Sequence, residues 1–155
     1  MLRDHAWIAR HIPHQGAMCL LDQVLGWDRS GVRCLSRAHR SMDNPLRAHD
    51  RLGAVCGIEF AAQAMAVHGA LLTPDLHGER RAGYLISVRN VALHVARLDD
   101  IDGDLVVEAS RLGGDGTTVL YRFSLSGGNR VLLTGRAAIL INLPESTTGF
   151  SEDSS

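Results

Sequence analysis

The longest apolar stretch of the chain runs from Gly53 to Leu72, GAVCGIEFAAQAMAVHGALL. It is long enough for about five helical turns, roughly 30 Å. Its apolar residues cover every face, which is typical of a helix buried inside a protein. Its one acidic residue is Glu59, and it contains no Lys or Arg. Because polar residues interrupt it, the stretch does not have the pattern of a membrane span. It predicts a buried central helix that holds one carboxylate.

The remaining patterns are shorter and favour strands separated by turns. A short helix is predicted at residues 3–10 and is ended by the stretch IPHQG, and a polar loop follows later at residues 41–52. The central helix is expected to stop near Thr73-Pro74, since proline cannot continue a helix interior, and residues 73–82 are expected to form an exposed connection. Residues 118–126 alternate well between apolar and polar. The predicted strands are 19–27, 32–39, 83–98, 105–112, 118–126 and 131–141.

The order of elements is a short helix, two strands, one long helix and four strands. Short Gly-rich links between the later strands indicate an antiparallel meander. The order therefore predicts an α+β fold in which an antiparallel sheet is wrapped around one long central helix. We expect a single domain over residues 1–143 and a disordered tail over 144–155, because PESTTGFSEDSS has little apolar content.

Composition narrows the function classes. The formal net charge is −1, with no block of like charges, so neither nucleic-acid binding nor a membrane partner is expected. All basic residues are Arg, which excludes lysine Schiff-base chemistry. The three cysteines are far apart, which is typical of reduced thiols in a cytoplasmic protein. The first residues lack the pattern of a secretory signal peptide.

Two motifs resemble a known family. Ile12-Pro13-His14 followed by LLDQVL at 20–25 is similar to the N-terminal signature of hot-dog fold β-hydroxyacyl-[acyl carrier protein] dehydratases. GIEFAAQA at 57–64 is similar to their central-helix motif, in which an acidic residue precedes a Gln by four residues. Asp102-Gly103-Asp104 resembles the turn after their long third strand. The resemblance covers about residues 10–142 and is closest to the divergent dehydratase-like subunits of bacterial aryl-polyene pigment clusters.

One part of the family pattern is altered. The standard dehydratases carry a histidine in a Phe-Pro-Gly-His-Phe type of loop before the helix acid. Here the equivalent loop contains only His49, ten residues before Glu59, without the flanking Phe, Pro and Gly. Either His49 still reaches the site from a shortened loop, or the standard pair of His and acid is lost.

Glu59 and Gln63 are the helix residues with candidate chemistry. A buried carboxylate either raises its pKa or takes a partner. Glu59 is therefore a candidate general acid that protonates a leaving hydroxyl, or a carboxylate satisfied by structural partners. Gln63 lies one turn further along the same face, where it can orient Glu59 or simply pack as an amide.

His49 and the helix start complete the candidate site. His49 is either an exposed loop residue or, as the resemblance implies, the base that removes the proton alpha to the thioester carbonyl. The helix start at Gly53, Ala54 and Val55 offers free backbone N–H groups and the positive end of the helix dipole. These groups could hold the thioester oxygen, or they could be an ordinary buried helix start.

The other histidines, including His11, His14 and His68, are interpreted as structural or exposed. No metal-ligand spacing accompanies them, and no Gly-rich phosphate loop follows a strand, so we expect neither a metal nor a cofactor. The G-x-S-x-G nucleophile motif is also missing.

The resemblance implies a (3R)-3-hydroxyacyl-[acyl carrier protein] dehydratase of fatty acid or polyene-type synthesis. In that family the active site lies at a dimer interface, with the His of one subunit facing the acid of the other. Two alternatives stay open: a non-catalytic hot-dog subunit that stabilises an active dehydratase, and an acyl thioesterase. The expected partners are the acyl carrier protein thioester and a second hot-dog subunit, in a homodimer or heterodimer.

Overall fold

The computed structural model describes residues 3–73 and 82–142 of the chain. The predicted tail at 144–155 and most of the predicted connection at 73–82 lie outside these ranges. The helices are α1 (His5–His11) and α2 (Gly57–Leu72). The strands are β1 (Arg3–Asp4), β2 (Gln23–Asp28), β3 (Gly31–Ser36), β4 (Ala82–Leu93), β5 (Leu105–Gly114), β6 (Thr118–Gly127) and β7 (Arg130–Asn142).

All seven strands form one sheet in the order β1-β2-β3-β5-β6-β7-β4, and every neighbouring pair is antiparallel. Helix α2 packs against one face of this sheet, on β3, β4, β5 and β6. Strand β4 follows α2 in sequence but lies at the far edge, beside β7. The predicted α+β architecture, an antiparallel sheet around one long helix, is confirmed.

The interior of the fold follows the apolar pattern of the sequence. On β6 the predicted alternation is confirmed, since Val119, Tyr121, Phe123 and Leu125 are all buried. Nine of the sixteen residues of α2 are buried. The segment Ala54–Leu72 has the length and hydropathy of a membrane-crossing helix, yet half of its most apolar window is buried inside the fold. Its apolar character is therefore accounted for by its place as the core helix.

Strand β2 begins later than predicted. The pattern indicated a strand from Cys19, whereas pairing with β3 begins at Gln23. The physical reason is that the backbone near residue 20 binds a side chain instead of a neighbouring strand: the Leu20 N–H donates to Gln63 Oε1 at 2.8 Å. The two-residue strand β1 was not predicted, because so short an element has no periodicity.

Gly135 gives a test of this packing. A Cβ added there would lie 2.5 Å from Cζ of the buried Phe123 ring. We expect Gly135→Ala to lower the free energy of unfolding by about 1–3 kcal/mol, as overpacking does, in urea denaturation. Gly116→Ala is the control, since Gly116 is exposed and a Cβ there meets nothing within 4 Å. Adding Phe123→Leu should recover part of the loss; equal effects at both glycines would contradict the packing.

Candidate active site

The candidate site lies where the first turn of α2 meets the segment that follows α1. A 3₁₀ turn, Ala54–Cys56, leads into α2, and Glu59 stands in the first helical turn. The positive end of the helix dipole stabilises a carboxylate at that position. Gln63 follows one turn later on the same face, and His14 approaches from the loop between α1 and β2.

Gln63 fixes the segment that faces the helix. Its side chain is fully buried, and its Oε1 accepts the N–H of Leu20. Its Nε2 donates to the carbonyl of Met18 at 2.7 Å and to Glu59 Oε2 at 3.2 Å. Gln63 thus makes both contacts that the sequence left open, one that orients Glu59 and one that packs the core. The buried amide is satisfied on both its oxygen and its nitrogen.

His14 is the partner of Glu59 within the chain. Its Nε2 lies 3.0 Å from Glu59 Oε2, and the two side chains are 24% and 32% exposed. The sequence interpretation of His14 as structural or exposed missed this pair. The available signal was the Ile12-Pro13-His14 motif itself. Helix periodicity cannot show that a residue 45 positions earlier in the sequence returns to the same face.

His49 is exposed, in contrast to the partly buried His14. It lies in the exposed loop before the helix, with a left-handed backbone at φ 53°. Within the described residues, the ion pair at Glu59 is made by His14, and none joins His49 to Glu59. His49 is therefore positioned either as a surface residue or to reach a neighbouring subunit.

The pKa of Glu59 is lowered from its ordinary value of 4.5. The main cause is the hydrogen bond from His14; burial acts in the opposite direction, and the hydrogen bond from Gln63 and the charge of His14 lower the pKa further. Of the two alternatives for a buried carboxylate, a raised pKa or a partner, the structure shows the partner, whose effect on the pKa of Glu59 outweighs that of burial. Glu59 is ionised at neutral pH. In the described part of the chain both of its hydrogen bonds fall on Oε2, which leaves Oε1 able to accept a proton.

The Nδ1 atom of His14 is buried and has no hydrogen-bond partner among the described residues. A buried donor without an acceptor is more costly than a ring whose second nitrogen is an unprotonated acceptor. When the ring is neutral, this arrangement therefore favours the tautomer that carries its proton on Nε2 and donates it to Glu59.

The prediction of three free N–H groups at the helix start is wrong for one of them. The sequence predicted free N–H groups at Gly53, Ala54 and Val55, but the Ala54 N–H donates to Ala96 O at 3.0 Å. The reason is a short antiparallel bridge that joins Gly53 to Arg97 in the connection between β4 and β5. The described structure gives no hydrogen bond to the N–H of Gly53 or Val55. Val55 is 58% exposed and Gly53 is half-buried.

The histidine of α2 has a structural role. His68 is fully buried; its Nε2–H donates to Asp28 O at 2.8 Å, and its Nδ1 accepts from Tyr121 Oη at 2.7 Å. Burial lowers the pKa of His68 and raises that of Tyr121 to about 12. Among the residues at 3–73 and 82–142 there is no group of three His, Cys, Asp or Glu able to hold a metal ion.

Comparison with known proteins identifies the family. An antiparallel sheet around one long helix is the hot-dog fold. A family model described as ApeP dehydratase, of the ApeP-like family, matches residues 6–148. The chain therefore belongs to the ApeP-like dehydratase family, which confirms the resemblance to aryl-polyene dehydratase-like subunits. No curated protein sequence matches the chain.

Comparison with solved structures supports the same fold. The chain is 25% identical to a chain of the dehydratase heterocomplex ApeI:P from Xenorhabdus doucetiae, with a TM-score of 0.77 over 88% of this chain and 91% of that one. A thioesterase of Pseudomonas aeruginosa is 13% identical, with a TM-score of 0.56 over 77% and 79%. A thioesterase of Haemophilus influenzae is 10% identical, with a TM-score of 0.58 over 79% and 80%. The two thioesterases support the fold alone.

The dependence of Glu59 on His14 is testable by NMR. We expect His14→Ala to raise the pKa of Glu59, because it removes the largest cause of the lowered value. A ¹³C titration of the Glu59 carboxyl in the two proteins measures the change. Asp115 is an internal control. Its pKa is lowered by local turn hydrogen bonds, chiefly from Thr117 and Thr118, and His14→Ala should leave this pKa unchanged. An unchanged Glu59 pKa would show that the pair does not persist in solution.

Proposed function

We propose that this dehydratase removes water from a (3R)-3-hydroxyacyl thioester on acyl carrier protein, giving the trans-2-enoyl product in polyene-type or fatty acid synthesis. The observation that carries the proposal is the hydrogen-bonded cluster of His14, Glu59 and Gln63 at the start of α2 in a chain of the ApeP-like dehydratase family. The proposal that the substrate is carried on acyl carrier protein is supported by the family resemblance. The three cysteines are free thiols, which suits our proposal of a cytoplasmic protein.

Glu59 is the proposed catalytic carboxylate. It is ionised, so Oε1 can accept the proton from the carbon alpha to the thioester carbonyl. The negative charge then moves to the thioester oxygen, where the N–H of Val55, the N–H of Gly53 and the helix dipole stabilise it. Protonated Glu59 next donates that proton to the 3-hydroxyl group. The C3–O bond breaks, water leaves and the double bond forms, so Glu59 is ionised again.

His49 belongs to a second arrangement of the same reaction. If two subunits meet so that His49 of one reaches Glu59 of the other, His49 takes the alpha proton, and Glu59, which in this arrangement must enter the reaction protonated, gives its proton to the leaving hydroxyl. The proton held by His49 then returns to Glu59. Gln63 and His14 then position the carboxylate in both arrangements. The exposed loop position of His49 is compatible with such a contact between subunits.

A second hot-dog subunit is the proposed protein partner, in a homodimer or a heterodimer. Strand β4 forms one edge of the described sheet, and unpaired strand edges readily pair with another chain. The edge is unusually apolar for a surface. Its exposed apolar side chains are Tyr84, Leu85, Ile86, Val91 and Leu93. The solved ApeI:P complex is a heterocomplex by its description, which favours pairing with a different hot-dog chain.

Substitution of Glu59 tests the catalytic proposal. We expect Glu59→Gln, which is nearly isosteric, to lower the dehydration rate by about a hundredfold or more, as loss of a general acid or base does. The assay supplies a 3-hydroxyacyl carrier protein to the chain together with its hot-dog partner, and mass spectrometry follows the loss of water. A Glu59→Gln protein that retains the wild-type rate would remove Glu59 from the mechanism.

His49→Ala in the same assay separates the two arrangements. A rate near that of the wild type fits the route in which Glu59 alone moves the proton. A loss of about a hundredfold fits His49 as the base from the neighbouring subunit. His94→Ala serves as the matched control, because His94 is also an exposed histidine and has no proposed part in the reaction.

Substitution on β4 tests the proposed interface. Ile86 is 53% exposed, so Ile86→Arg should leave the fold intact, while a charge buried without a partner would weaken subunit pairing. We expect the homodimer, or the heterodimer formed with a second hot-dog chain, to dissociate into monomers in light scattering coupled to size-exclusion chromatography. Leu112→Arg is the control, since Leu112 is 43% exposed on β5. Unchanged mass for Ile86→Arg would place the interface elsewhere.

Two other functions have specific support. An ionised carboxylate can also activate water for thioester hydrolysis, and the fold is shared with thioesterases. Release of free thiol from an acyl thioester, without loss of water, would favour hydrolysis. The heterocomplex description of a similar structure suits a supporting subunit, in which case Glu59→Gln would leave the activity of the complex unchanged.

A further inference from the structure

Three arginines stand side by side on the face of the sheet that is turned away from α2. Strand register places Arg89 of β4 opposite Arg136 of β7, and Arg136 opposite Arg122 of β6. The buried neighbours of these residues along the strands, such as Tyr121 and Ala137, point to the opposite, inner face. Since neighbouring strands lie about 4.8 Å apart, the row spans roughly 10 Å.

The row is not neutralised within the described chain. All three arginines are exposed, and no ion pair joins any of them to a carboxylate at residues 3–73 or 82–142. On the same face Arg33 does have a partner, since its Nε lies 2.9 Å from Glu108 Oε2. Like charges placed directly opposite each other destabilise a sheet. A row of three therefore marks a surface suited to an external anionic group.

An apolar band borders the arginine row. In the next two rows of the outer face, Leu120 lies opposite Ala138, and Leu140 lies between Thr118 and Tyr84. Leu120 is 44% exposed, Leu140 39% and Tyr84 52%. The surface is thus cationic along one line and apolar along a parallel line, both of which run across the strands.

This pattern fits a helix better than a second copy of the same face. A two-fold packing of this patch on its own copy would offer the arginines of the row only other arginines or apolar side chains, and no carboxylate. A helix that lies across the strands repeats its side chains every 5.4 Å, close to the strand spacing of about 4.8 Å. One stripe of acidic residues would meet successive arginines while the adjacent apolar stripe covers Leu120 and Leu140.

We propose that the outer face of β4, β6 and β7 is a docking surface for an acidic amphipathic helix of a partner protein. The surface is separate from the candidate active site, because α2 and Glu59 lie on the other side of the sheet. The proposal therefore stands whether or not the chain dehydrates a thioester. It assigns to Arg89, Arg122 and Arg136 a role in assembly.

A labelled synthetic peptide tests the surface. The probe is a helical peptide of about 15 residues, with Glu at one position of every turn and Leu on the adjacent stripe. The reference peptide has the same composition in scrambled order. By fluorescence anisotropy with the full chain, we expect the patterned peptide to bind about tenfold or more tightly than the scrambled one, with weaker binding at high salt.

Charge-reversal variants give the controls. Arg122→Glu with Arg136→Glu should remove the preference. Arg29→Glu with Arg130→Glu should retain it, since it makes an equal charge change at an exposed turn residue and at the exposed first residue of β7. Circular dichroism verifies that each variant is folded. Equal binding of the two peptides by the wild type, or equal loss in both double variants, would overturn the proposal. A change in oligomeric mass for Arg122→Glu with Arg136→Glu would overturn it as well, and would assign the face to a second copy of the chain.

Discussion

The structure of the candidate site depends on the hydrogen bonds of one buried amide. Gln63 lies inside an apolar helix. An unpaired amide there would lower the free energy of unfolding by about 1–3 kcal/mol, judged from mutational data. It is satisfied by the backbone of Met18 and Leu20. Those two bonds hold the segment after α1 against α2 and keep it out of the sheet until Gln23. The same path brings His14 to Glu59.

The chemistry follows from that placement. A carboxylate in the first turn of a helix, with donors from His14 and Gln63 on one oxygen, is held as an anion. The apolar surroundings alone would have favoured the protonated form. The second oxygen remains able to exchange a proton with a substrate. The scaffold thus sets the protonation state of Glu59 through neighbours that are distant in sequence, and this state suits proton abstraction as the first step.

Local pattern was sufficient to predict most of the fold. The apolar stretch at 53–72 predicted the core helix, alternation predicted strands such as β6, and Gly-rich links predicted antiparallel neighbours. The Glu59 and Gln63 spacing lies within one helix, so it could be predicted in the same way. The pairing of His14 with Glu59 could not, because it depends on how a loop crosses the helix. The hydrogen bond of the Ala54 N–H could not be predicted from local pattern either, because its acceptor lies in the connection between β4 and β5.

The pH dependence of kcat/KM for dehydration, measured for the chain with the proposed hot-dog partner and a 3-hydroxyacyl carrier protein, tests the central claim most directly. This quantity reports the pKa values of essential groups in the free enzyme. If the ionised form of Glu59 is the active one, kcat/KM should stay level as the pH falls toward 4.5, the ordinary value for a glutamate, and should decline only below it. Rates that rise as the pH falls through this range, with the rise lost in Glu59→Gln, would show that the protonated acid is required and would contradict the account.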